Sequence, residues 1–211
     1  MIKIHSFANI IKPLRIGLIA GALMMSPTFA NVQSSAKNNN ADTFELLTKD
    51  IPPSGTSDKA VLLEAPNPHV NIAGERKTAA IVVDISKNVL YHYDGDGKPL
   101  AAYLIASGKK STPTHTGVRY VSHVETFPYS KAPARSKRRR NPRDYGPKII
   151  ILDKLDVKTG ERSSCGEFIH GNRNPESIGK YASHGCMRMD NDVIRYLSKQ
   201  VKSGDIVVIK R

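Results

Sequence analysis

From Ala79 onward the chain alternates short apolar runs with turn residues. "AAIVVDI", "NVLYHYD" and "PLAAYLIAS" are β-branched, aromatic and aliphatic runs, separated by "SK" and by the turn "DGDGK" at 94–98. Runs of this composition fit a pleated, half-buried surface, so the spacing predicts a strand meander. "GVRYVSHVE" (117–125) sets Val118, Tyr120 and Ser122 against Arg119, Val121 and His123, the period of two expected of a strand. "KIIILDKL" (148–155) and "GEFIHG" (166–171) add two further strands. One helix is predicted. Asp190 or Asn191 caps it, Val193, Ile194, Leu197 and Val201 form its apolar face, and Gly204 ends it. "DIVVIK" then closes the chain as a last strand. The pattern predicts a mainly β domain over 79–211, a sandwich or a barrel-like sheet, with one short helix after the loop "YASHGCMRMD" (181–190).

The N-terminal part reads differently. Residues 1–15 carry Lys3, Lys12 and Arg15 and no acid, "IGLIAGALMM" (16–25) is an unbroken apolar run, and "SPTFA" (26–30) offers Thr28 and Ala30 to a signal peptidase. This is the order of a secretory signal peptide, residues 1–30, cleaved after Ala30. The apolar run is well short of the roughly 20 residues that span a bilayer, so no integral membrane span is expected in the mature form. Residues 31–78 are expected as an N-terminal leader or linker, partly disordered. "NVQSSAKNNNAD" and "IPPSGTSD" are poor in apolar residues, and two X-Pro steps in 61–78 argue against regular structure.

Charge narrows the partners. The chain has 32 Lys and Arg against 19 Asp and Glu, and loss of residues 1–30 lowers the net charge from +13 to +10. Much of this sits in "KAPARSKRRRNPRDYGPK" (131–148), with eight basic residues, one acid and three prolines, which reads as a loop insertion. Inside a cell such a stretch would suggest nucleic acid. Export, and the lack of aromatic residues other than Tyr145 for bases to stack on, argue for no nucleic-acid partner. Two readings stay open: a solvated surface loop, or steering towards an anionic polymer outside the cytoplasm.

Only two cysteines, Cys165 and Cys186, occur in a chain expected to be exported, so the fold must stand on its hydrophobic core. A Cys165–Cys186 disulfide is chemically plausible in an oxidising compartment. A zinc site from Cys165, His170, His184 and Cys186 has suitable ligand types but an unusual spacing. The reading favoured by the residues is a nucleophile. A thiol becomes a nucleophile when a base or a positive field draws off its proton. His170, at the end of a strand, is better placed to be aimed at a loop than His184, two residues from the sulfur. Gly171 and Gly185 let the backbone turn closely beside both groups. Backbone N–H groups around Cys186 could hold an oxyanion. Arg188, at i+2, falls on the side of Cys186 in an extended segment and could grip a carboxylate.

"IHG" (169–171) followed by "SHGCMR" (183–188) resembles the catalytic motif of the L,D-transpeptidases with a YkuD-type catalytic domain. "IVVDISKNVLYHYDGDG" is similar to that family's opening hairpin, and "ASGKKSTPTHTGVRYV" to its TP-containing segment, so the resemblance covers roughly 79–211. It implies a mostly β fold, no metal or organic cofactor, and a peptidoglycan stem peptide as substrate. It implies Cys186 as nucleophile, His170 as general base and acid, and Gly171 O as the group that orients the imidazole. Ser183, His184 and Gly185 would shape the loop and oxyanion hole, and Arg188 would meet a stem carboxylate. The acceptor could be a second stem peptide or the lysine of a wall-anchored lipoprotein, and carbapenem-type inhibitors should acylate the cysteine. Periplasm or cell wall is the implied location. A hydrolase on the same acyl-enzyme and a non-catalytic wall-binding module are the alternatives. Met187 and His115 are departures from the family wording, and 131–148 is the larger one. For Cys165 the choice lies between a spectator thiol and a reversible disulfide that silences Cys186.

Overall fold

A computed structural model of the chain describes residues 55–130 and 142–211. The expected signal segment 1–30, the first part of the expected leader and most of the basic stretch 131–148 lie outside the described residues. The elements are β1 (Gly55–Thr56), α1 (Lys59–Leu63), β2 (His69–Ile72), β3 (Glu75–Thr78), β4 (Ile81–Asp84), β5 (Val89–Tyr93), β6 (Pro99–Leu104), β7 (Ser107–Gly108) and β8 (Gly117–Thr126). A 3-10 turn (Pro142–Tyr145), β9 (Lys148–Leu155), β10 (Arg162–His170), a 3-10 turn (Pro175–Ser177), β11 (Tyr181–Ser183), β12 (Met187–Arg188), α2 (Asn191–Gln200) and β13 (Ile206–Lys210) follow.

Nine strands form one sheet in the order β1-β6-β5-β4-β13-β8-β9-β10-β12, while β11 pairs with β7 and β2 with β3 apart from it. Within the large sheet β13 runs parallel to β4 and β12 parallel to β10; the other pairs are antiparallel. The closing strand is therefore central. Val207 and Ile209 enter the main core, whereas Ile206 and Val208 pack on the other face. The main core gathers Leu90 from β5, Val121 from β8, Ile150 and Leu152 from β9 and Ile169 from β10 around Val193, Ile194 and Leu197 of α2. Strands far apart in the sheet order thus share one cluster, because the sheet curls into a half-barrel around that helix. The mainly β class is as expected, in its barrel-like rather than its two-layer form.

Helix α2 follows its sequence pattern closely. Asp190 is the N-cap, its carboxylate accepting from the N–H groups of Asp192 and Val193, a contact of about 1 kcal/mol in similar helices. Its apolar stripe is buried.

Two features differ from expectation. Residues 55–78 are built into the domain: β1 extends the sheet beside β6, and Leu62 of α1 covers Val82, Tyr91 and Ala102 on the outer face. The two prolines, Pro66 and Pro68, fall in the connection between α1 and β2, so they interrupt neither element. In β8, the polar-looking position Arg119 faces inward at 4% exposure, paired with Glu167 of β10. A bulge between Val121 and His123 then shifts the alternation, so that Val124 packs on the main core as well.

Candidate active site

Strand β10 ends on His170, which is 4% exposed. Ile169 points into the main core, so its neighbour His170 projects to the opposite face by the alternation of a strand. On that face the Tyr145 ring covers it, with centroids 4.8 Å apart, and also meets Phe168 edge-on. His170 Nδ1 lies 2.6 Å from Gly171 O. A carbonyl oxygen can only accept, so Nδ1 carries the proton and Nε2 of the neutral ring is the basic nitrogen. Gly171 is held in place by its N–H on Lys148 O at 3.2 Å. It must lack a side chain: a Cβ there would come within 2.5 Å of Asn191 Oδ1 and 2.8 Å of Pro147 Cδ.

Strand β12 lies alongside β10, with Met187 opposite Ile169 and Arg188 opposite His170. Met187 and Met189 are fully buried in the core. Cys186 and Arg188, at the alternate positions, line a cleft of about 380 Å³ together with His170, Ser183, His184 and Tyr145. Backbone bonds on both sides fix this segment: Met189 N–H reaches His170 O at 2.8 Å, and Arg188 exchanges bonds with Ala106 at 2.8 and 2.9 Å. Of the expected residues, Cys186, His170, Ser183, His184 and Arg188 thus share one cleft, and Gly171 and Gly185 shape its backbone.

The loop before Cys186 is clamped from the other side by residues 108–114. Ser183 O accepts from Lys109 N–H and from Thr112 Oγ1, both at 3.2 Å. Buried Thr114 donates to Gly185 O at 2.7 Å and accepts from Gly108 N–H at 2.8 Å. Gly185 has φ +113°, a conformation that favours glycine. Its N–H is donated to Ser183 Oγ at 3.0 Å, so both of its backbone polar groups serve to set the loop.

Cys165 stands apart from this centre. Its Sγ lies 3.3 Å from Leu152 O of β9 and 3.8 Å from Glu167 Oε2, and burial pushes its thiol pKa up. Cys165 is not among the residues that line the cleft holding Cys186. No disulfide joins Cys165 and Cys186 in this structure.

Sequence reasoning did not single out Thr112, Thr114, Tyr145 or Asn191 for the site. The TP-containing segment was the available signal for the threonines. Tyr145 was noted only as an aromatic in the basic stretch, and Asn191 only as a helix cap. Asn191 Oδ1 instead accepts from Asn172 N–H at 2.9 Å, tying the start of α2 to the loop after His170.

Residues 78–209 match the family model described as the L,D-transpeptidase catalytic domain (YkuD). The chain belongs to this family of cysteine-dependent transferases. It is similar to the YkuD protein of Bacillus subtilis (strain 168), with 32% identity over 55% of this chain and 57% of that protein. The YqjB protein of the same organism is 31% identical over 54% of this chain and 61% of its own length. The chain therefore spans less than two-thirds of each of these relatives. Among solved structures, a mutant L,D-transpeptidase of Enterococcus faecium is 25% identical, with a TM-score of 0.48, over 63% of this chain and 49% of its own. An L,D-transpeptidase of Mycobacterium tuberculosis is 18% identical, with a TM-score of 0.48, over 64% of this chain and 59% of its own.

Proposed function

We propose that the chain acts outside the cytoplasm on peptidoglycan stem peptides, cutting the bond between the third, diamino-acid residue and D-alanine and transferring the acyl group to an amine. The observation that carries this reading is that Cys186 and His170, whose Nδ1 lies against Gly171 O, line one cleft. His170 Nε2 takes the thiol proton, and the thiolate attacks the carbonyl carbon of the third residue. The resulting oxyanion is held by backbone N–H groups of the turn around Cys186. Collapse breaks the C–N bond, and the proton on His170 passes to the departing amine of D-alanine. An acceptor amine then attacks the thioester, gives its proton to His170, and releases Cys186.

Gly171 O plays the part that a carboxylate plays in other triads. It fixes the ring and its tautomer without bringing a negative charge. Burial of His170 beneath Tyr145 limits the water that reaches the ring. Arg188, half-buried on the Cys186 side of β12, supports recognition of a stem carboxylate. The acceptor in this reading is a second stem peptide or a lipoprotein lysine, and no cofactor takes part.

Incubation with a carbapenem should add one inhibitor mass to Cys186 in the intact protein, and none to Cys186→Ala. A reduced Cys186 that takes up no carbapenem would remove the nucleophile assignment. Muropeptides incubated with the enzyme and an amine acceptor should yield D-alanine and a new amide in equal amounts. Release of D-alanine without the amide would make the enzyme a hydrolase.

A further inference from the structure

Thr114 holds the backbone before Cys186 through a single hydroxyl, which donates to Gly185 O and accepts from Gly108 N–H. Thr114 is buried, but the three residues after it, His115, Thr116 and Gly117, are exposed. Burial therefore does not fix the chain on that side. A guanidinium reaches back to it instead. Arg119 of β8 is turned inward, and its Nη2 donates to His115 O at 3.3 Å. Its Nη1 donates to Val118 O at 3.0 Å and its Nε to Glu167 Oε2 at 2.6 Å. The other oxygen of Glu167 lies 3.5 Å from His115 Nδ1. Glu167 itself stands on β10, the strand that ends on His170.

We propose that Arg119 and Glu167 are positioning residues for Cys186, acting through His115 and Thr114. The inference rests on the acyl-transfer reading above and adds two residues that the chemistry itself does not touch, since neither lines the cleft. Arginine suits the task because its planar fork presents several donors in fixed directions at once. Held by Glu167 through Nε and by Val118 O through Nη1, the guanidinium fixes His115 O relative to β10. His115 adjoins Thr114, and Thr114 meets the residue before Cys186. The strand that carries the base and the loop that carries the nucleophile are thus both referenced to one buried ion pair.

Orientation, more than stability, is what this pair supplies. A buried ion pair adds little net stability over well-packed apolar residues of similar volume. Apolar residues at 119 and 167 could not supply the bond to His115 O. The proposed reaction needs the Cys186 sulfur within hydrogen-bond reach of His170, so a loop that drifts by a fraction of an ångström slows it without unfolding anything.

The test follows acylation of Cys186 by a carbapenem in the full chain, by intact mass at rising inhibitor concentrations, beside urea unfolding of each variant. Arg119→Met/Glu167→Leu removes both charges together, and with them the bond to His115 O. Its urea midpoint should stay close to that of the wild type. Its saturating acylation rate should fall about tenfold or more, while the half-saturating concentration changes by less than about threefold. Arg119→Lys is the second variant. It keeps a cation beside Glu167 but lacks the fork, so it should show the same split between rate and stability. Thr114→Val is then added to each. It should lower the rate much less in these backgrounds than in the wild type, because both changes break the same link. Wild-type saturating rates in both variants at position 119 overturn the proposal. So do losses that multiply with that of Thr114→Val, or that track the urea midpoint, since the pair would then only hold the fold together. A wild-type protein whose reduced Cys186 takes up no carbapenem would instead sink the acyl-transfer reading itself.

Discussion

Thr114 Oγ1 donates to Gly185 O at 2.7 Å while accepting from Gly108 N–H at 2.8 Å. One buried hydroxyl thus joins the TP-containing segment to the residue before Cys186. Thr114→Val keeps the shape and removes both bonds, leaving two backbone groups unpaired at roughly 1–3 kcal/mol each. In the proposed acyl transfer, a shift of about 1 Å in the attacking Cys186 sulfur can cost on the order of a hundredfold in rate. The expected result is a fall of about 10- to 100-fold in the saturating rate of Cys186 acylation, with a smaller change in KM. Thr114→Ser keeps the hydroxyl and should recover most of the rate. Equal losses in the Val and Ser variants would show that the methyl group matters and the hydroxyl does not.

Gly171 packs against Asn191 so closely that a Cβ at 171 would lie 2.5 Å from Oδ1. Gly171→Ala must therefore push Asn191 aside and break its bond to Asn172 N–H. Overpacking of this kind costs about 1–3 kcal/mol. Because Gly171 O holds His170 Nδ1, the displacement should also slow acylation. Asn191→Ala removes the nearest clash and leaves the one with Pro147 Cδ, so the double variant should still be more stable than the sum of the two single losses predicts. Strict additivity in urea unfolding would show that the two residues do not press on each other.

The parts of this architecture that the sequence displayed are those set by local rules. Alternation placed Cys186 and Arg188 on one side and Met187 on the other, and α2 announced itself through Asp190 and a stripe of Val193, Ile194 and Leu197. His170 could be aimed because it ends a strand. What stayed hidden depends on contacts distant in sequence. Thr114 meets Gly185 across 71 positions, and no periodicity reports such a meeting. Tyr145 sits at the border of a basic stretch whose composition masked its packing on His170. Arg119 read as the polar side of a strand, since a single charged residue does not reveal that Glu167 awaits it inside.

That ion pair makes its own prediction. Arg119 Nε reaches Glu167 Oε2 at 2.6 Å, its Nη1 and Nη2 bond to Val118 O and His115 O, and both residues are below one-tenth exposed. Glu167→Ala strands a buried guanidinium and should lower the unfolding free energy by about 3–5 kcal/mol. Replacing both, as Arg119→Met/Glu167→Leu, removes the charges together and should recover most of that loss. A single-variant loss below about 1 kcal/mol in urea would mean that water reaches the pair.

His92 on β5 gives the fold a dependence on acid. It is 4% exposed, its Nδ1 has no hydrogen-bond partner, and burial lowers its pKa to about 4 against the usual 6.5, with Asp94 opposing the shift weakly. Between those values the unfolded chain binds a proton that the folded chain refuses. Stability therefore rises with pH across this window. The contribution of His92 is complete above about pH 6.5 and is lost progressively as the pH falls towards 4. A shift of this size corresponds to about 3 kcal/mol between the two ends. His92→Phe removes the titrating group, so urea midpoints measured from pH 4 to pH 7.5 should form a flatter curve than those of the wild type. Parallel curves for the two proteins would assign the acid sensitivity to the carboxylates instead.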